Sequence, residues 1–143
     1  MNERTILLIE DNPSDVGLTV RAFEKAHIEN LLVVAADGQE ALDYIFGTVA
    51  HEGREACELP SLTLLDLKLP KVSALEVLRR IRAKADTRRM PIVILTSSLE
   101  DQDLAAAYDL GVNSYIRKPV DFNQFAQAIE QLRLLSRCTQ KRN

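Results

Sequence analysis

Four polar groups stand where four apolar runs end. Asp66 closes Leu62-Thr63-Leu64-Leu65, Glu10-Asp11 follows Thr5 to Ile9, Thr96 ends the run from Pro91, and Lys118 lies just beyond Val112 to Ile116. Three carboxylates brought together repel one another and must take up protons or a cation. An all-oxygen set with few protein ligands suits Mg²⁺, which keeps several waters and shares a phosphate readily. Lys118 would add a point charge and Thr96 a hydroxyl donor. Assembled, these groups make a place where a phosphoryl group on Asp66 is held by metal, amine and hydroxyl.

Each residue alone has a plainer reading. A strand-terminal Asp is often a helix cap, a lone Lys is usually solvated, and a Thr after an apolar strand is often β-branched filler. Four such residues at matching strand ends argue for a common purpose. In an open α/β sheet, the carboxyl ends of the strands share one crevice.

The elements that must position them alternate along the chain. Thr5 to Ile9 reads as a strand, and Asn12-Pro13 caps and starts a helix through Val16, Val20 and Phe23. Leu31 to Ala35 is a second strand, and Asp37 opens a helix carrying Ala41, Leu42, Ile45 and Phe46. Gly47 to Pro60 reads as a long polar connection before the third strand. Ser73 with Glu76 forms a capping box ahead of Leu75, Leu78 and Ile81. Pro91 to Thr96 is the fourth strand, and Ser98 with Asp101 caps a fourth helix that Gly111 ends in a left-handed turn. Val112 to Ile116 is the fifth strand, and Asp121 with Gln124 starts a last helix through Phe125, Ile129 and Leu132.

Five strands alternating with five helices predict an α/β, doubly wound parallel sheet. The strands are too apolar to alternate, as expected where helices cover both faces. The 143 residues form one domain, with a core over about 4–133 and a polar basic tail over 134–143. A net charge of −3 gives no push toward nucleic acid or an anionic membrane. No stretch approaches the ~20 apolar residues of a transmembrane helix, and the N-terminus lacks a signal-peptide pattern. Cys57 and Cys138 lack metal-ligand spacing and read as free thiols of a cytoplasmic protein. His27 and His51 are isolated in the sequence. Arg79, Arg80, Arg82, Lys84, Arg88 and Arg89 have no aromatics for base stacking and read as a solvated helix face.

The segments Ile6-Leu7-Leu8-Ile9-Glu10-Asp11-Asn12, Leu64-Leu65-Asp66-Leu67-Lys68-Leu69-Pro70, Val93-Ile94-Leu95-Thr96-Ser97 and Tyr115-Ile116-Arg117-Lys118-Pro119 carry a resemblance. Together they resemble a response-regulator receiver domain from about Arg4 to Arg133. The resemblance implies a flavodoxin-like five-stranded parallel sheet of order 2-1-3-4-5 with five helices. It implies that Asp66 accepts a phosphoryl group from a sensor histidine kinase. It implies Mg²⁺ bound by the Asp11 and Asp66 carboxylates and the Lys68 backbone carbonyl, with Glu10 acting through water. Thr96 and Lys118 would contact the phosphate, Thr96 and Tyr115 would form the switch pair, and Lys118-Pro119 resembles the family's cis peptide. Output would pass through a homodimer face of helix 4, strand 5 and helix 5, where acidic Glu100, Asp101 and Asp103 oppose Arg117 and Arg133. The implied role is a phosphoacceptor rather than an enzyme, apart from self-phosphorylation and autodephosphorylation, with no DNA-binding or enzymatic domain following.

The long connection, Ala41-Leu42-Asp43-Tyr44-Ile45-Phe46-Gly47 and Asn113-Ser114-Tyr115-Ile116 are similar to single-domain regulators that partner bacterial phytochrome histidine kinases. One departure stands beside the site. Val72-Ser73-Ala74 replaces the family's usual Asp-Gly, which predicts an altered loop around an intact site. Three other readings compete. An aspartate-nucleophile phosphatase needs a second acid where Lys68 stands, and a flavodoxin-like nucleotide binder needs a glycine-rich loop after the first strand. A phosphate-independent interaction module leaves the acidic crevice without purpose.

Overall fold

The computed structural model describes residues 5–28, 30–50, 59–97, 102–118, 120 and 123–128, with the side chains of 48–50 excepted. Its elements run β1 (Thr5–Ile9), α1 (Pro13–Lys25), β2 (Leu31–Ala35), α2 (Gly38–Ala50), β3 (Leu62–Asp66), α3 (Ala74–Ala83), β4 (Ile92–Thr96), α4 (Gln102–Asp109) and β5 (Ser114–Arg117). A further helical segment, α5, covers 123–128. All strand pairs are parallel, in the order β2-β1-β3-β4-β5. The Cys57, Cys138 and His51 readings, the Ser98–Asp101 and Asp121 caps, Pro119, and Ile129 onward lie outside the described residues.

Side-chain alternation divides the core in two. Leu7, Ile9, Leu65, Ile92 and Ile94 face α2, α3 and α4 through Ala41, Ile45, Leu78, Ile81 and Ala107. Ile6, Leu8, Leu64, Val93 and Leu95 face α1 and α5, where Phe23 and Phe125 stack with ring centroids 4.8 Å apart. Both faces are therefore dry, and β3 and β4 are buried at every position. β2 is an edge strand, and its Leu31 and Val34 are exposed.

Local chemistry sets the element ends. The Asn12 side chain accepts from the Ser14 and Asp15 backbones, so α1 starts at Pro13. Asp37 caps α2 by accepting from Glu40 N–H at 2.8 Å. Ser73 caps α3 through Glu76 N–H, but the Glu76 carboxylate turns to Arg80 and Arg79 rather than closing the box. Gly111 takes φ +80° after α4, the left-handed turn expected there.

Three boundaries differ from expectation. α2 continues through Gly47 to Ala50, shortening the connection before β3. A glycine weakens a helix by ~1 kcal/mol without ending it. β4 and β5 begin one and two residues late because Asn113 takes over their start. Its N–H donates to Ile92 O and its side-chain oxygen accepts from Ile92 N–H. Val112 is then left to pack in the core.

The arginine-rich segment is only partly a solvated face. Arg82 is half-buried, and its guanidinium donates to the carbonyls of Arg88, Met90, Leu110 and Gly111 at 2.8–2.9 Å. It ties α3 to the α3–β4 and α4–β5 turns. Side-chain spacing on the helix could not reveal this, because all four acceptors are backbone carbonyls beyond the end of α3.

Candidate functional site

Past the ends of β1, β3 and β5 the ladder continues for one more hydrogen bond. Glu10 N–H donates to Ala35 O at 3.0 Å, Leu67 N–H to Leu95 O at 2.9 Å, and Lys118 N–H to Thr96 O at 2.7 Å. The ladder thus fixes the backbones that carry Glu10, Asp66 and Lys118 before any side chain meets. Their side chains then converge. Carboxylate oxygens of Glu10, Asp11 and Asp66 lie within 4.8 Å of one another. Glu10 is 1% exposed and Asp66 4%, whereas Asp11 is exposed at the mouth.

The Lys118 ammonium lies 3.0 Å from Glu10 Oε1, 3.3 Å from Asp66 Oδ2 and 2.8 Å from Asp15 Oδ2. The other Asp66 oxygen, Oδ1, accepts from the Lys68 backbone N–H at 3.1 Å. Burial opposes the Lys118 charge, but hydrogen bonds to Asp15 and Glu10 and the charges of Asp66 and Glu10 outweigh it. Its pKa is raised above that of an ordinary lysine. Glu10 is pushed up to about 7, first by burial and then by a hydrogen bond with Asp66, with Lys118 pulling the other way.

The residues present fit a hard divalent cation. The donors are all carboxylate oxygens. Glu10 Oε1 is fully buried, and although it lies near Lys118 Nζ it has no hydrogen bond of acceptable geometry among the described residues. A buried carboxylate that holds its proton toward neutral pH is the condition a cation would relieve.

Of the sequence-derived set, Glu10, Asp11, Asp66 and Lys118 come together directly. Thr96 is buried at the end of β4, one residue past the Leu95 that registers with Asp66. Tyr115 lies on β5. It is half-buried against the α2–α4 side of the core and meets Tyr108 edge-on at 6.4 Å. Asp15 is the residue that sequence reading missed. As an acid in the first turn of α1 it looks like an ordinary partner of the helix dipole.

The β3–α3 loop runs from Asp66 to the first turn of α3. Ser73 is extended, with φ −68° and ψ 157°, and positive φ falls on Lys71 at +64°. Lys71 also pairs with Asp37 at 3.4 Å, and Val72 packs onto Gly38.

A doubly wound sheet of order 2-1-3-4-5, with an acidic crevice at the carboxyl edge, defines a flavodoxin-like receiver fold. The chain belongs to the response regulator receiver domain family, which its residues 6–130 match, and is thus a signalling module of two-component systems. Among curated proteins it is 41% identical over 128 residues to "Probable methanogenesis regulatory protein FilR2" of Methanothrix harundinacea, covering 90% of this chain and 80% of that one. Among solved structures it is similar to the bacteriophytochrome response regulator AtBRR, with 51% identity and a TM-score of 0.78, over 92% of this chain and 94% of that one. The Mn²⁺-bound form of response regulator Rcp1 has 34% identity and a TM-score of 0.73, over 90% and 92% of the two chains. The phosphorylated cyanobacterial phytochrome response regulator RcpA has the same identity and TM-score, over 96% of each chain.

Proposed function

We propose that this chain accepts a phosphoryl group on Asp66 from the phosphohistidine of a phytochrome-type sensor histidine kinase. The observation that carries the reading is the setting of Asp66, with Lys68 N–H on Oδ1, the Lys118 ammonium on Oδ2 and Glu10 and Asp11 alongside. A carboxylate so held cannot rotate freely and is oriented for in-line attack.

In the transfer, an Asp66 oxygen bonds to phosphorus as the phosphorus–nitrogen bond breaks. The electron pair of that bond returns to the kinase imidazole. Charge gathers on the non-bridging phosphoryl oxygens, so the protein supplies positioning and neutralisation. Lys118 provides one fixed positive charge, and the Thr96 hydroxyl donates to a phosphoryl oxygen. Glu10, Asp11, Asp66 and the Lys68 backbone carbonyl would hold Mg²⁺, which supplies further charge neutralisation when bound. Later attack by water on phosphorus returns the Asp66 carboxylate and frees inorganic phosphate.

Phosphorylation exchanges one carboxylate charge for roughly −2 and new acceptor oxygens. Thr96 drawn toward them shifts the β4 end, and Tyr115 repacks against Tyr108. The output face is α4, β5 and α5, through which two copies pair. Support comes from Tyr108, which is 44% exposed on that face and already meets Tyr115. The partners are proteins of the cytoplasm, with neither nucleic acid nor membrane among them. No helix among the described residues is long and apolar enough to cross a membrane.

The test is incubation with Mg²⁺ and a small acyl phosphate, followed by intact mass. One base-labile phosphoryl group is expected on the wild type and none on Asp66→Asn. No adduct, or an undiminished one in the variant, overturns the reading. Transfer only from kinases of another sensory class would refute the phytochrome pairing. An unchanged size with a phosphate mimic would refute control of dimerisation by phosphorylation.

A further inference from the structure

The ammonium of Lys118 is closest to an anion that is not part of the carboxylate cluster. Asp15 Oδ2 stands at 2.8 Å, against 3.0 and 3.3 Å for Glu10 Oε1 and Asp66 Oδ2. Asp15 is also the most open of the three partners, with 21% of its side chain exposed, whereas Glu10 has none and Asp66 has 6%. It is held in place from below. Its backbone N–H is capped by Asn12 Oδ1, which fixes the first turn of α1 at the lip of the crevice.

We propose that Asp15 is a positioning residue that holds Lys118 on the α1 side of the crevice and so sets the affinity of the Glu10–Asp11–Asp66 cluster for a divalent cation. The inference rests on the reading of that cluster as the metal site. An ammonium and a divalent cation compete for the same carboxylate oxygens and repel each other across a few ångströms. Lys118 already spans Glu10 and Asp66, so without another anchor it would sit where the cation must go. Asp15 gives it a partner outside the cluster. When the carboxylates turn to a cation, Lys118 keeps one short ion pair and remains beside Asp66. Neutralising Asp15 would leave the ammonium only Glu10 and Asp66, and displacing it would then cost more.

The experiment is a titration of the unphosphorylated full chain with Mn²⁺, reading free ion by electron paramagnetic resonance. Asp15→Asn is expected to weaken binding roughly fivefold, the scale of one partly screened charge contact. Asp15→Glu, which keeps the charge, should stay within about twofold of wild type on the same reasoning. In a Lys118→Met background the Asp15→Asn effect should fall below about twofold, because the two residues are coupled. An Asp15→Asn affinity equal to wild type, or an equal loss with and without Lys118, overturns the inference while leaving the metal site standing. A wild-type chain that takes up no Mn²⁺ overturns the metal-site reading and this inference with it. Should Lys118→Met fail to melt cooperatively, the Lys118 ammonium hydrogens of Asp15→Asn report directly by nitrogen-15 spectroscopy. Faster solvent exchange than in wild type supports the anchor, and unchanged exchange overturns it.

Discussion

The backbone carbonyl of Val72 fills the space that a Cβ on Gly38 would need. The Val72 Cβ would lie only 2.9 Å from it as well. The first turn of α2 therefore rests directly on the β3–α3 loop, the segment that carries Lys68 two residues past Asp66. Backbone cannot be pushed aside as a flexible side chain can.

Gly38→Ala should accordingly destabilise the chain by about 1–3 kcal/mol, the usual cost of overpacking. The small gain in helix propensity at this position does not offset it. Urea unfolding at neutral pH measures the loss. The same variant should weaken Mn²⁺ binding, since the displaced loop carries Lys68. Gly17→Ala, with open space around it, is the control and should not lose stability.

Lys71 holds φ +64° without being glycine. A left-handed conformation costs an ordinary residue about 1–2 kcal/mol, less for Asn and more for a β-branched side chain. Lys71→Asn should leave the thermal midpoint at or slightly above wild type, and Lys71→Val should lower it. The ion pair to Asp37 does not reverse this order, because the Lys71 side chain is 70% exposed. A midpoint for Lys71→Val equal to that of Lys71→Asn would contradict the argument.

This loop shows where sequence reading reached its limit. The strands and the meeting of Glu10, Asp11, Asp66 and Lys118 were legible, because four of the five strands are short apolar runs with a polar group at or just past their ends, whereas the sheet order was implied by the family resemblance. The Asp15–Lys118 pair was not, since 103 residues separate its partners and α1 had to be placed in three dimensions first. The absent Asp-Gly predicted an altered loop around an intact site. Ser73 caps α3, as its spacing to Glu76 predicted, in an ordinary extended conformation, and positive φ falls two residues earlier at Lys71. Which residue takes positive φ depends on what the loop packs against, here Gly38, and composition does not encode that.

Arg82 tests a second relationship hidden from the sequence. Its four carbonyl acceptors lie on two turns, and burial lowers its pKa by disfavouring the charge. Arg82→Ala should lose about 2–3 kcal/mol by leaving those acceptors unpaired. Arg82→Lys should recover only part, since an ammonium lacks the planar fork. Arg80→Ala on the same helix removes an exposed pair with Glu76 and should leave the denaturation midpoint unchanged. Equal losses at the two positions would refute the distinction.

The raised pKa of Glu10 makes the cation-free chain pH-sensitive in an unusual direction. Its carboxyl moves from 4.5 to about 7 on folding, so between these values the folded chain keeps a proton that the unfolded chain has released. The contribution is fully present below pH 4.5 and is lost as pH rises through about 7. Lys118 does not blur this window, because its pKa is raised from 10.5 and its contribution stays constant until far more alkaline pH. In a chelator, urea unfolding should therefore show stability falling by about 3 kcal/mol from pH 4.5 to 8, on the scale of 1.36 kcal/mol per pKa unit. Glu10→Gln should flatten that part of the profile. Added Mg²⁺ should raise the midpoint more at pH 8 than at pH 5, since it favours the ionised carboxylate. A wild-type profile in chelator that matches Glu10→Gln would show that Glu10 does not hold its proton in the folded chain.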